Sequence, residues 1–482
     1  MTYSDLKKFF EDKDIQLIMV SDAEPRVDVI VNGKVKESVP AGGVGLSLDP
    51  IAKSAGAVFI ARAKTPEEKK APETTYSDSG GSYTLKRLSL KESEFEGYYN
   101  GFSNQTLWPL CHVAFERPEF RDDWFEEFRA VNKKFADAIK HEIKKSKKRP
   151  FIWINDFQLS LVPSLLDQKE AIIAMFWHIP WPTWEVFRIL PYKKEILESI
   201  LQVDFLAFHR GYHVRNFIDT IDREFEARID EETNRIFFDK NVTKVTNLPL
   251  GIDTAAIKTI ASGRQKTTPY DDMFNKYKVI IGVDRLDYIK GLILRLQALD
   301  RFLEKHSGYR GRVQYFGIVA PSRVGVPTYQ TLKKDLIRLA ERINKKYAKG
   351  DWEPIKLEYK VFSREDVVNF YKKSSVCLVT PRDDGMNLVS KEFVMASSLT
   401  DNPGMLVLSR FAGSAIDLTE SLIVNPYDTE EVADAIKTAL EMKKEEKVRR
   451  LTTMAQTLDD RNIFRWARDF VEGAIEEKRE SK

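Results

Sequence analysis

Two cysteines in 482 residues, Cys111 and Cys377, exclude a disulfide framework, and neither stands in a CxxC or Cys/His cluster that would hold zinc. Both read as small core residues. Also missing is any uninterrupted apolar run long enough to span a bilayer, and the opening segment Met1 to Ile18 is charged rather than signal-like. The expectation is a soluble protein, made and kept in the cytoplasm. There is no marked excess of one charge: a net +3 with 31% charged residues points to neither nucleic acid nor a membrane as partner. The basic stretch Lys144 to Arg149 is short and reads as a solvated helix end. No internal repeat or low-complexity tract stands out, and no acidic ligand cluster of the usual kind suggests a metal.

What the chain does have is 43% hydrophobic residues spread over a length that exceeds one ordinary core, so two domains are expected. Short apolar, β-branched runs alternate with longer segments of helical period: Ile15 to Val20, Phe151 to Ile154, Ala171 to Trp177 and Phe205 to Phe208, then Val279 to Val283, Val313 to Val319, Val376 to Thr380, Met405 to Ser409 and Leu422 to Val424. Strand alternating with helix means parallel α/β sheets. The series breaks near Leu248 to Ile252, and the polar stretch Ala261 to Tyr270 follows. The expected fold is therefore two doubly wound α/β domains facing a cleft, 1–250 and 251–455, with a C-terminal helix, 456–482, that crosses back to the first domain. Thr74 to Ser82, polar and holding Gly80 and Gly81, reads as a mobile surface loop. Open α/β sheets bind ligands beyond the carboxyl ends of their strands, so the loops after strands should hold the chemistry.

Four such loops stand out. In VCLVT-PRDDGMN-LVSKEFVMAS, from Val376, a buried strand runs through a glycine-bearing loop into a helix beginning about Asn387 or Leu388. A helix N-terminus presents unpaired N–H groups that favour anions, so Met386, Asn387, Leu388 and Val389 suit a diphosphate or sugar through the main chain. Asp384 and Glu392 are carboxylate acceptors for vicinal hydroxyls. In VDRLDYIKG, Arg285 and Lys290 follow a strand and can neutralise charge on a leaving diphosphate. His178 follows the strand in FWHIPWP, and Asp156 ends another in FIWINDFQ, where a turn or N-cap aspartate is the plainer reading. Tyr98, Tyr99, Phe102 and Trp108 in YYNGFSNQTLWP suit stacking on a sugar, although such aromatics are more often core. AGGVG, Ala41 to Gly45, lets backbone approach a phosphate or is a plain turn.

Together these segments, with ILP at Ile189, LGID at Leu250, APSR ending at Arg323, SRFAGSA and NPYD, resemble the trehalose-6-phosphate synthase family, dense from Tyr98 to about Asp428. The resemblance implies retaining glycosyltransferases of two Rossmann-like domains in the GT-B arrangement, an acceptor-binding N-terminal domain and a nucleotide-sugar-binding C-terminal one. It implies transfer of glucose from a nucleotide diphosphate glucose to glucose 6-phosphate, with no cofactor and no metal. Arg285 and Lys290 would bind the donor diphosphate with Gly43 closing over it, and Glu392 would hold the ribose. Leu388 would meet the nucleotide by its main chain, and Asp384 and His178 would hold hydroxyls of the donor glucose, helped by Met386 and Asn387. Asp156 would face the acceptor, and Tyr99, Trp108 and Arg323 would hold the acceptor sugar phosphate. The oligomeric state stays open, a homo-oligomer included, as does the nucleotide base among UDP, GDP and ADP.

The first sixty or so residues depart most from the pattern. Where the family's first strand ends in Ser-Asn-Arg, this chain has Ser21, Asp22 and Ala23, and the nearest arginine along the chain is Arg26. AVFIARAKT, Ala57 to Thr65, replaces a tryptophan-bearing segment. Asn155 and Gln158 stand in place of histidines, and Asp383 in place of an arginine. A glucosylglycerol-phosphate synthase using glycerol 3-phosphate, a pseudo-glycosyltransferase joining cyclitols, and a non-catalytic regulatory sugar-phosphate binder fit the same residues.

Overall fold

The computed structural model describes residues 1–480 apart from 26, 32–33, 39–43, 79 and 264–266, and for 27–31, 34–38, 44 and 46 it describes the main chain alone. Gly43 and Arg26 therefore lie outside the described residues. The chain packs as two compact units, Met1–Leu250 with Ile463–Lys482, and Gly251–Asn462.

A ten-stranded sheet runs through the first unit. Its parallel strands are, along the chain, Ile15–Ser21, Val58–Arg62, Gly81–Leu88, Arg149–Asn155, Ile172–Phe176, Phe205–Phe208 and Asn241–Asn247. Across the sheet they lie in the order 3-2-1-4-5-6-7, the Rossmann order extended by one strand, with antiparallel strands added at both edges. The order reverses between Ile15–Ser21 and Arg149–Asn155, which pair in register from Ile15↔Arg149 to Ser21↔Asn155. Crevices in such sheets open at the carboxyl ends of the strands flanking that reversal, which here lead into Asp22 and Asp156.

One edge corrects the expectation of a mobile loop at Thr74 to Ser82. Glu73–Asp78 and Gly81–Leu88 form an antiparallel hairpin with Tyr76 opposite Tyr83. Period-two alternation explains it: Tyr76, Tyr83 and Leu85 turn inward, the two rings 5.5 Å apart, while the polar residues between them face outward. Polar composition alone concealed the strand.

The C-terminal helix Ile463–Glu480 covers the same sheet. Its apolar face sets Phe470 4.4 Å from Trp153 and Trp466 4.9 Å from Phe176, ring to ring. Arg235–Glu477 and Lys478–Asp204 pairs, 2.9 and 2.7 Å, fasten its far end. The return starts at Ile463 rather than at 456, because the preceding helix Lys444–Asp460 runs through that position.

In the second unit six parallel strands, Lys278–Arg285, Val313–Ala320, Ile355–Glu358, Val376–Val379, Met405–Ser409 and Leu422–Val424, lie in the order 3-2-1-4-5-6. Val313–Ala320, Val376–Val379 and Met405–Ser409 are buried on both faces, which is why they read as continuous apolar runs. The order reverses between Lys278–Arg285 and Val376–Val379, paired at Ile280↔Val376. Both loops that the sequence marks for a diphosphate leave the sheet there. Cys111 and Cys377 are buried free thiols.

Candidate active site

The loop after Lys278–Arg285 turns through a short 3-10 segment, Tyr288–Lys290, capped by Asp287. Gly291 then takes φ +66°, and a side chain there would collide with the carbonyl of Thr380, so the loop lies directly on the neighbouring strand end. From the other side the Arg382 N–H donates to Ile289 O at 2.6 Å. Seated this way, the Lys290 ammonium reaches the Asp384 carboxylate at 2.5 Å, both side chains largely buried. Arg285 is the exposed cation of the pair, its guanidinium 3.8 Å from Asp287.

The Asp384 loop is fixed along its length. Its N–H donates to Phe411 O, the Gly413 N–H to Asp384 O and the Ser414 N–H to Met386 O, at 3.2, 2.9 and 2.7 Å. Asn387 caps the helix Leu388–Ser397: its Oδ1 accepts from the Ser390 N–H at 3.0 Å and its Nδ2 donates to Asp384 Oδ2 at 3.0 Å. Helix geometry leaves the N–H groups of Leu388 and Val389 without intrahelical acceptors, beside the Lys290 and Asp384 charges. The sequence-based start of this helix matches the observed one. Glu392, one turn further in, is 12% exposed and lies 3.4 Å from the Arg364 guanidinium. Burial pushes its carboxyl above the ordinary range, and Arg364 opposes that shift.

Arg323 does not project freely. Its buried side chain donates to Asp287 at 2.8 Å and to the Tyr329 hydroxyl, so its charge is engaged three residues before Lys290.

In the first unit, Asp156 caps the 3-10 turn Phe157–Leu159, and its Oδ1 accepts from the N–H groups of Phe157 and His178 at 3.0 and 3.1 Å. One carboxylate thereby ties two adjacent strand ends together, satisfying the capping reading while placing Asp156 beside His178. The His178 ring stacks on Phe176 with centroids 4.4 Å apart, and its Nε2 lies 3.2 Å from Asn155 Oδ1. Because the Asn155 amide nitrogen donates to Val20 O, its oxygen faces the ring, and His178 is the Nε2–H tautomer. Burial, with His209 nearby, holds the imidazole well below the ordinary range, so it stays neutral with Nδ1 as an acceptor lacking a partner among the described residues.

The segment Glu96–Leu107 winds as a wide π-helix into Trp108–Cys111, and the side-chain amides of Asn104 and Gln105 donate to the carbonyls of Tyr99 and Asn100. Tyr98 and Phe102 are core, Phe102 packing 4.5 Å from Phe128. Tyr99 is half-buried, stacked on Phe95, and Trp108 sits 6.0 Å from Phe157, next to Asp156.

Three of the six described non-glycine residues with positive φ are residues singled out from the sequence, Asp156, Arg323 and Asn387 at +74°, +46° and +77°. Backbone in this region persists where surrounding contacts over-determine it, as they do at all three.

Two groups escaped the motifs. Arg62 ends the strand beside Ile15–Ser21 and grips Asp22 through two bonds of 2.9 and 3.0 Å, its guanidinium 4.9 Å from the Tyr99 ring. The cation beside Asp22 thus comes from the second strand. Arg295 lies on the buried stripe of Leu292–Lys305 with Leu292, Leu296 and Leu299, and a charge on an apolar face was its visible signal. Among the described residues no group of three or more His, Cys, Asp or Glu side chains could hold a metal ion, and no helix is long and apolar enough to cross a membrane.

These two Rossmann-like units, with anion-suited loops at a strand-order reversal, are the domain pair of a GT-B glycosyltransferase, and residues 17–476 match the model of glycosyltransferase family 20. The trehalose-6-phosphate synthase of Sinorhizobium fredii is 33% identical over 464 residues, 95% of this chain and 97% of that one. The bifunctional trehalose-6-phosphate synthase/phosphatase of Thermoproteus tenax is 33% identical over 96% of this chain, which spans 64% of that longer protein. The UDP-forming alpha,alpha-trehalose-phosphate synthase of Burkholderia xenovorans, solved in complex with glucose-6-phosphate, superposes with a TM-score of 0.84 at 29% identity, over 95% of this chain and 99% of its own. The chain belongs to glycosyltransferase family 20, the family of the trehalose-6-phosphate synthases.

Proposed function

We propose that the chain transfers glucose from UDP-glucose to glucose 6-phosphate with retention, giving trehalose 6-phosphate and UDP. The observation that carries the reading is the joining of Lys290, Asp384 and the capped start of Leu388–Ser397 at the strand-order reversal of the second unit. Cations, open N–H groups and a hydroxyl-accepting carboxylate there match the parts of a nucleotide sugar. The UDP and glucose 6-phosphate assignments follow the relatives of this family.

In this reading Arg285, Lys290 and the N–H groups of Leu388 and Val389 hold the diphosphate, Glu392 the ribose, and Asp384, His178 and the Met386–Asn387 backbone the glucose. Asp156, Tyr99, Trp108 and Arg323 serve the acceptor. The bond from the sugar's anomeric carbon to the diphosphate oxygen breaks, a bond to the acceptor hydroxyl forms on the same face, and the acceptor's proton passes to the leaving phosphate oxygen. In this reading the transfer proceeds without a covalent sugar intermediate, and catalysis is charge stabilisation and positioning.

The test is a product assay with UDP-, GDP- and ADP-glucose against glucose 6-phosphate and glycerol 3-phosphate, with chelator present. Trehalose 6-phosphate from UDP-glucose supports the proposal. Glucosylglycerol phosphate as the main product, or no transfer with any pair, overturns it.

A further inference from the structure

Arg295 makes four hydrogen bonds from a guanidinium that is 1% exposed. Nε donates to Thr380 Oγ1 at 2.9 Å, Nη1 to Asp284 Oδ2 at 2.5 Å and to the Tyr315 hydroxyl at 3.3 Å, and Nη2 to the main-chain oxygen of Lys290 at 3.2 Å. Its partners come from both sides of the strand-order reversal: Asp284 from the end of the first strand and Lys290 from the loop after it, Thr380 from the strand end that opens the second. The space it fills is reserved by Gly282, where a side chain would collide with both the guanidinium and the Tyr315 hydroxyl.

We infer that Arg295 is a positioning residue for the donor diphosphate, locking the Lys290 main chain to the start of the Asp384 loop and keeping the Asp284 carboxylate off the Lys290 ammonium. Asp284 is a buried acid, and Arg295 and Lys290 are the two cations whose charges act on it. A buried carboxylate that loses its partner is left uncompensated, which strengthens its pull on the remaining nearby cation. Here that cation is Lys290, and moving it toward Asp284 takes it away from Asp384. A lysine at 295 can answer the Asp284 charge, but it has no planar fork to hold Thr380 and the Lys290 carbonyl at the same time. The inference rests on the reading of Lys290 as a diphosphate contact.

The experiment compares Arg295→Lys, the paired Arg295→Met/Asp284→Asn, Lys290→Ala and the Lys290→Ala/Arg295→Lys double variant, by kcat, by KM for each substrate, and by calorimetric UDP binding. The paired variant removes the buried acid along with its partner, so the fold is retained without the guanidinium. Arg295→Lys is expected to lower kcat and weaken UDP binding by about tenfold or more with KM for glucose 6-phosphate unchanged, and to add little on the Lys290→Ala background. A purely structural role would lower the active fraction and leave UDP affinity per folded molecule at the parent value, which overturns the inference. Additive losses in the double variant also overturn it. If Lys290→Ala is impaired while both Arg295 variants bind UDP normally, the inference alone falls; if Lys290→Ala itself is normal, the diphosphate reading falls and the inference with it.

Discussion

Lys290 and Asp384, 94 residues apart in the chain, meet at 2.5 Å, and Asn387 donates to the same carboxylate. The pair holds the lysine over the start of a helix, where an incoming diphosphate would share it. Removing the ammonium by Lys290→Ala should reduce kcat roughly a hundredfold to a thousandfold, the usual effect of losing one preorganised donor to developing charge. Steady-state rates on folded protein check this, and parent-like turnover would refute the leaving-group assignment.

Gly413 lies against the Gly385 carbonyl so closely that a methyl group cannot fit, and its N–H donates to Asp384 O. Gly413→Ala should therefore push the Asp384–Asn387 loop out of place. The expected outcome is a fall of about tenfold or more in kcat/KM for the donor, with a smaller effect on thermal unfolding. Initial rates at varied UDP-glucose, beside a melting curve, measure both.

Asp22 and Arg62 form a two-bonded pair whose side chains are 6% and 8% exposed. Asp22→Asn leaves Arg62 charged and buried, at a cost of about 3–5 kcal/mol in unfolding free energy. Asp22→Asn/Arg62→Met, which removes both charges, should recover most of that loss. Urea unfolding of the three proteins reads the difference, and equal stability of the single and paired variants would show that the charge is not confined.

His178 and His213 are both buried and held neutral. His213 accepts the Trp181 N–H at Nδ1 at 3.1 Å, and burial lowers it to about 3; His178 is driven well below the ordinary range by burial and then by His209. A group whose proton affinity drops on folding contributes stability that is complete above its unfolded value, about 6.5, and is lost as pH falls below it. His213 should therefore remove about 2 kcal/mol between pH 7 and pH 5, and His178 acts in the same direction. In His213→Gln, unfolding free energies at the two pH values should differ by that much less than in the parent. An unchanged pH dependence would mean that His213 takes up its proton as readily in the folded chain as in the unfolded one.

Much of the architecture was legible because parallel strands covered on both faces must be apolar throughout. Phe205–Phe208 and Met405–Ser409 have the same limits in the structure as in the hydrophobic runs. The helix after Asn387 was visible for a local reason: an asparagine before an apolar helical segment is a cap, and it satisfies an N–H that the helix cannot. The hairpin at Glu73–Leu88 was hidden because an edge strand with one wet face has the composition of a loop, and alternation over a few residues is a faint signal.

By itself the sequence determined the alternation of strand and helix, the loops that carry Lys290, Asp384, Asp156 and His178, and the break between the units near Leu250. These depend on periodicity and on neighbours along the chain. Only the tertiary structure decided that Arg62 answers Asp22, that Arg295 joins the Lys290 and Thr380 loops, that Arg323 is engaged by Asp287, and that the last helix covers the first sheet. Each of those contacts joins residues brought together by strand order and register, and a buried charge takes whichever partner the packing sets beside it.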